Sequence, residues 1–245
     1  MINLLIIIQA RMTSTRLPGK VMLPLCGKTV LEIMLDRLKN FKKNIIIATT
    51  NDGTQKPIVD VCKKNHIPYY EGDTENVLSR YYETACKFGA KSGDIIVRLT
   101  SDCPLADQDI AQRTIDLYKN NHLDLAGAGP HSGFPRGIDT VAYGFDFLKF
   151  MYNNASTPYE KEHVTIHPDK IKKPFKTLHL NNQTDDSHYR LTLDEIKDYD
   201  AIKEVYKKFN CSTEFTYDEL IKMLKKNPYI YEINKEVKQK EYEIK

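Results

Sequence analysis

The stretch from Leu4 to Lys28, LLIIIQARMTSTRLPGKVMLPLCGK, constrains this chain more than any other. Leu4 to Ile8 is an unbroken run of apolar, mostly branched residues, which reads as a strand buried on both faces. The run ends at Gln9-Ala10, and three cations follow in quick succession: Arg11, Arg16 and Lys20. Between them lie Thr13, Ser14 and Thr15 and a Leu17-Pro18-Gly19 turn. A buried strand opening into a basic loop is how an α/β sheet holds polyphosphate at its carboxyl edge. Small residues let backbone N–H groups approach phosphate oxygens, and the cations neutralise charge. The bland alternative is a solvated basic loop, but such a loop has no need to follow so apolar a strand so closely. No G-x-x-x-x-G-K-[ST] loop and no G-x-G-x-x-G dinucleotide pattern is present.

At 245 residues and 41% hydrophobic content the chain can bury the core of one α/β domain, residues 1–245. Its formal charge of +3, from 36 basic and 33 acidic residues, gives no reason to expect nucleic acid as a partner. No run approaches transmembrane length and no signal-peptide pattern is seen, so no membrane partner is expected. The five cysteines (Cys26, Cys62, Cys86, Cys103, Cys211) are scattered, without a C-x-x-C pair. Reduced thiols in a cytoplasmic protein are the expectation.

Apolar periodicity predicts strands over 44–50, 67–70, 94–100, 123–128 and 138–143. Helices are predicted over 30–40, 56–65, 107–120, 145–154 and 158–167, and the stretch Gly72–Leu78 opens another that runs to about Phe88. Thr29 is the expected cap of the first. This alternation argues for a mostly parallel sheet with helices on both faces. Segments 175–180 and 189–193 read as two strands, candidates to pair with each other. Helices are expected over 195–210 and 217–226. The Gly127–Gly137 stretch, rich in glycine and proline, reads as a long loop.

One carboxylate, Asp102, stands where the chemistry of a bound triphosphate needs it, and Asp194 is a second candidate. Asp102 follows the strand ending at Thr100, just past its carboxyl end. Its competing role, capping the next helix, is already met by Asp107 or Pro104. Asp194 ends Arg190-Leu191-Thr192-Leu193-Asp194, although it is also a natural N-cap for the helix at Glu195. Arg98, on a core strand, needs a partner or a ligand. Arg80 suits a base contact and an acid pairing equally. His163 and His167 have helical i,i+4 spacing, but without H-E-x-x-H order, and with Pro168 following, a metal role is discounted.

Ala10-Arg11-x-x-Ser14-Thr15-Arg16-Leu17-Pro18-Gly19-Lys20 resembles the motif of the sugar-activating cytidylyltransferases, including the KDO and acylneuraminate enzymes. It is most similar to the branch named for spore-coat polysaccharide biosynthesis. The resemblance implies a Rossmann-like nucleotidyltransferase fold, CTP as nucleotide, and Mg²⁺ held by Asp102 and Asp194. It places Gln9, Ala10, Arg11, Ser14, Arg16, Lys20, Arg80 and Arg98 on the nucleotide side, with Arg11, Lys20 and Asp102 central to catalysis. Asp139, Glu162, His163 and Arg190 fall on the acceptor side, where a sugar acid or a phosphorylated sugar or alcohol is expected.

Two positions depart from the pattern: Thr13 replaces a common glycine, and Val141 stands where an acid is usual. The helical segment from about 196 to 245 is expected to pack on the domain or to serve a homodimer. The residues alone support a triphosphate and a metal; the cytidine preference comes from the resemblance. Rival readings are the same chemistry with another nucleotide and a non-catalytic nucleotide-binding relative.

Overall fold

The computed structural model describes residues 2–166 and 174–239. β1 (Leu4–Gln9) lies near the middle of a seven-stranded sheet and is apolar toward both faces. Ile6 and Ile8 point to one core cluster, Leu5 and Ile7 to the other. This period-2 division explains why the run carries no polar residue. After β1 come a hairpin of β2 (Pro24–Leu25) and β3 (Lys28–Thr29), then α1 (Val30–Arg37). Thr29 caps α1 in a reciprocal pair with Glu32, as expected.

β4 (Ile45–Thr50), α2 (Lys56–Asn65), β5 (Tyr69–Gly72), α3 (Val77–Lys87) and β6 (Ile95–Thr100) follow. α4 (Gln108–Asn121), β7 (Leu125–Ala128), β8 (Thr140–Gly144), α5 (Phe145–Asn154) and α6 (Pro158–His163) come next. The last elements are β9 (Thr177–His179), α7 (Ile196–Lys208), α8 (Tyr217–Lys226) and α9 (Tyr229–Asn234). Strand order is β5-β4-β1-β6-β8-β7-β9. Only β8 runs against the rest, pairing antiparallel with β6 and β7. The chain leaves β1 toward β4 on one side and returns to β6 on the other. β1 is therefore the topological switch point, and its carboxyl end is the crevice where such sheets bind ligands.

The expected single α/β domain is what is found. α1, α2 and α4 cover one face of the sheet, while α3 and α5 cover the other. A third apolar cluster joins α7, α8 and α9 to Leu25, Val30, Leu105, Phe134 and Leu193, so the C-terminal helices are packed on the domain.

Some expectations are corrected. Segment 189–193 is not a strand and does not pair with β9. It makes a single parallel bridge, Arg136 with Arg190, while β9 pairs parallel with β7. The reason is a close backbone approach: a Cβ on Gly137 would lie 2.4 Å from the Leu191 carbonyl carbon. α6 stops at His163, because Val164 takes φ 60°, outside helical space; His167 lies outside the described residues. α9, unforeseen, adds a short helix at the end.

The thiols are not all free: Cys26 and Cys211 form a disulfide with Cα atoms 5.5 Å apart. Each sits in left-handed backbone, at φ 54° and 62°, one in the β2–β3 turn and the other just beyond α7. The fold brings these two turns together across 185 residues. Cys62, Cys86 and Cys103 are free. Among the described residues no helix is long and apolar enough to cross a membrane.

Candidate active site

The loop after β1 folds back on itself before it re-enters the core. Gly19, at φ 68°, donates its N–H to the Met12 carbonyl at 2.8 Å. This turn delivers Lys20 into a short 3-10 turn, where it is 7% exposed. A buried ammonium needs partners, and Lys20 has two. Nζ donates to Asp102 Oδ2 at 2.8 Å and to Asp194 Oδ1 at 2.9 Å. Arg16 Nη2 meets the other oxygen of Asp194 at 2.9 Å and its Nη1 lies 3.9 Å from Glu195.

The two carboxylates meet because their backbones are tied. Leu193 donates its N–H to the Asp102 carbonyl at 2.7 Å, and the Thr192 hydroxyl reaches the same oxygen at 3.3 Å. Leu191 in turn donates to the Arg136 carbonyl at 2.7 Å, so the loop before β8 clamps the segment carrying Asp194. Neither aspartate is spent on capping. Asp107 caps α4 through the N–H groups of Asp109 and Ile110. At α7 it is Asp198, not Asp194, that accepts the N–H groups of Asp194 and Glu195.

The charges shape one another. Burial pushes the Asp102 carboxyl up, but Lys20 outweighs it and holds the group below its ordinary value. Burial pushes Lys20 down, and Asp102 and Asp194 together hold it above its ordinary value. Burial and the Asp102 charge drive the Cys103 thiol well above its ordinary range, which favours the protonated form over the thiolate a nucleophile needs.

The other candidates divide by place. Gln9 ends β1, and its Oε1 is buried without a partner among the described residues, as is the Thr49 hydroxyl at the end of β4. Ala10 is buried behind the loop, and Ser14 is half-buried within it. Arg80, 1% exposed, spends Nη1 on the carbonyls of Asp73 and Thr74 rather than on an acid. The charge of Arg11 opposes that of Arg80, which places the two guanidinium groups near one another. Arg98 lies 5.8 Å from the Tyr81 ring centroid. Arg190 is drawn into the carboxylate network: Nη2 donates to Asp194 at 2.9 Å and Nε to Asp198 at 2.9 Å.

Beside the carboxylates a cavity of about 570 Å³ opens against β7 and β8. Val141, Phe147 and Phe175 give it apolar walls, while His131, His179 and Asp139 supply polar groups. Asp139 accepts the Gly137 N–H at 2.6 Å. Its charge reaches the Cys103 thiol, which lies 3.7 Å from Asp102, so cavity and carboxylates are neighbours. Glu162 and His163 lie on α6, and it is Thr165 and Ile166, just beyond them, that line the cavity. Sequence reading missed Asp198, Asn234 and the Lys20 pairing. The nearest signal was an acid three residues after Glu195, where the helix following Asp194 was predicted to begin.

The family model for cytidylyltransferases matches residues 5–242. An uncharacterized protein of Methanocaldococcus jannaschii is 35% identical over 240 residues, spanning 96% of each chain. The spore coat polysaccharide biosynthesis protein SpsF of Bacillus subtilis is 31% identical over 238 residues, 92% of this chain and 95% of that one. A solved cytidylyltransferase structure from Leptospira borgpetersenii superposes with a TM-score of 0.88 at 36% identity, covering 99% of this chain and all of the other. The chain belongs to the cytidylyltransferase family, a class of nucleotidyltransferase enzymes.

Proposed function

We propose that this enzyme transfers CMP from CTP to a sugar acid, or to a phosphorylated sugar or alcohol, with release of pyrophosphate, for surface polysaccharide or glycoconjugate synthesis. One juxtaposition carries the reading: a loop with three cations meets two carboxylates at the carboxyl edge of β1 and β6. The likeness to SpsF supports use of the product in polysaccharide synthesis. Use of a nucleoside triphosphate favours a cytoplasmic setting, where reducing conditions would act on Cys26–Cys211.

The donor set fits Mg²⁺. Asp102 Oδ2 and Asp194 Oδ1 already flank one cationic centre, Lys20 Nζ, at 2.8 and 2.9 Å. Among the described residues no group of three or more His, Cys, Asp and Glu side chains converges. Two carboxylates, with water and phosphate oxygens completing the shell, are what Mg²⁺ prefers. Asp102 and Asp194 would hold the ion, and when bound it supplies positive charge to the phosphate oxygens.

Lys20 then gives up the carboxylates and turns its flexible stem toward the triphosphate. Arg16 and Arg11 join it, with Ser14 and the loop N–H groups on the remaining phosphate oxygens. Gln9, Ala10, Arg80 and Arg98 form the nucleoside side. The acceptor enters through the cavity, where Asp139 takes a hydrogen bond from it. Its attacking oxygen displaces pyrophosphate in line, and no side chain forms a covalent intermediate. Positioning and charge supply the catalysis.

The test is pyrophosphate release with CTP, UTP, GTP or ATP against a panel of sugar acids and phosphorylated acceptors, with and without Mg²⁺. Release with CTP and one acceptor, dependent on the ion, is expected. Release only with another nucleotide would replace CTP. Absence of CTP binding by calorimetry would remove the phosphate-loop reading.

A further inference from the structure

Asp194 is held by hydrogen bonds that begin in the C-terminal segment. Arg190 stands at their centre. Its Nη2 donates to Asp194 Oδ2 at 2.9 Å and to Asp198 Oδ2 at 3.2 Å, while Nε donates to Asp198 Oδ1 at 2.9 Å. Its Nη1 donates to Gln239 Oε1 at 2.9 Å. Asp198 is fully buried, and Oδ2 also accepts the N–H groups of Asp194 and Glu195, both at 3.0 Å. Asn234, on α9 and 2% exposed, closes the set. Its Nδ2 donates to Asp198 Oδ1 and to the Arg190 carbonyl, both at 2.9 Å.

The arrangement solves a problem of competing charges. A free guanidinium beside a carboxylate makes a two-pronged pair and takes both oxygens. Bound fork-on to Asp198, Arg190 has a single N–H bond to spare for Asp194, on Oδ2. Asp194 Oδ1 is left facing Lys20 and Asp102. The buried Asp198 carboxylate thus orients a neighbouring carboxylate through an arginine, as groups behind metal ligands do.

We propose that Asp198 and Asn234 are positioning residues: through Arg190 they aim Asp194 Oδ1 at the cation, so α9 completes a site to which it gives no ligand. The proposal builds on Asp102 and Asp194 as the metal ligands. Its test is Mn²⁺ binding in the presence of CTP, followed by electron paramagnetic resonance on the full-length protein.

Asn234→Ala is expected to weaken Mn²⁺ about tenfold. Gln239→Ala, at an exposed side chain, is expected to shift it the same way by less. Ile230→Ala removes buried packing from the same helix without touching the network. It is expected to lower the melting temperature and leave Mn²⁺ affinity at the wild-type value. Wild-type affinity in both Asn234→Ala and Gln239→Ala would overturn the proposal and leave the ligand assignment standing. Equal weakening in Asn234→Ala and Ile230→Ala would also overturn it, since packing alone would then account for the effect. A wild-type protein that binds no Mn²⁺ with CTP would remove the ligand assignment itself, and the proposal with it.

Discussion

Two neighbouring regions of this molecule handle polar chemistry in opposite ways. At the carboxyl edge of β1 and β6, charges close on one another: Lys20 on Asp102 and Asp194, Arg16 on Asp194, Arg190 on Asp194 and Asp198. In the cavity against β7 and β8, apolar Val141, Phe147 and Phe175 face the space alongside His131 and His179, and Asp139 accepts the Gly137 N–H within the field of Arg136 and Arg98. In the first region Lys20 and Arg16 already have carboxylate partners, so under the proposed function a triphosphate would be exchanged into it. The second is open and shape-determined. Conserving charge through an exchange suits a nucleotide bound in every cycle; an apolar hollow suits selection among acceptors by fit.

The comparison breaks first at Asp102. Asp102→Asn removes the charge that Lys20 shares with Asp194 and the reading's first metal ligand. Pyrophosphate release is expected to fall by a hundredfold or more, on the order of what one preorganised charged group supplies. Circular dichroism should show the fold retained. Full activity would take Asp102 out of the site. Behind the charged region stands a covalent tie, from the turn after the phosphate loop to the end of α7. Cys26→Ala is expected to lower stability by about 2–4 kcal/mol, because the bridge closes a very long loop. Denaturant unfolding should show the same loss when the wild type is reduced. An unchanged midpoint would mean that packing alone fixes the hairpin. Arg16→Ala tests the exchange itself. A lost charge-assisted phosphate contact is worth about 1.5–3 kcal/mol. Since Arg16 gives up Asp194 to make it, the low end is expected, as a weaker CTP affinity by calorimetry. Unchanged affinity would leave Arg16 as a structural ion pair.

Much of this was legible before any coordinates. The β1 run could only be a strand buried on both faces, and the basic loop after it could only sit at the sheet's carboxyl edge. Asp102 followed from the same rule. What stayed hidden depends on contacts between distant segments. Nothing in the spacing of Cys26 and Cys211 reports that two left-handed turns meet. Segment 189–193 alternates like a strand, yet it lies where Gly137 lets backbones touch at one bridge only. Nothing in the sequence singles out Asp198, because a residue that binds it, Asn234, is on a helix too short for any periodic signal.

The finest contrast lies between two aspartates. Lys20 holds Asp102 below its ordinary value, whereas burial lifts Asp139 above it, against the Gly137 N–H and Arg136. A depressed carboxyl contributes stability that is present above its unfolded pKa and is lost as pH falls through the folded one. A raised carboxyl works in reverse: its ionised form costs stability above the folded pKa, and the cost is relieved as pH falls. Asp139→Asn keeps an oxygen for the Gly137 N–H and removes the charge. It is expected to raise stability at neutral pH slightly, by about 0.5 kcal/mol, the scale of changes that break no packing. The gain should vanish as pH falls through the raised Asp139 pKa toward the acid end. Asp102→Asn should instead lose stability at neutral pH, with the loss shrinking as the wild-type carboxyl protonates. Unfolding of both variants in urea across the acid range reads the two slopes. Slopes of the same sign would mean that both aspartates belong to one charged network and that the cavity is not a separate environment.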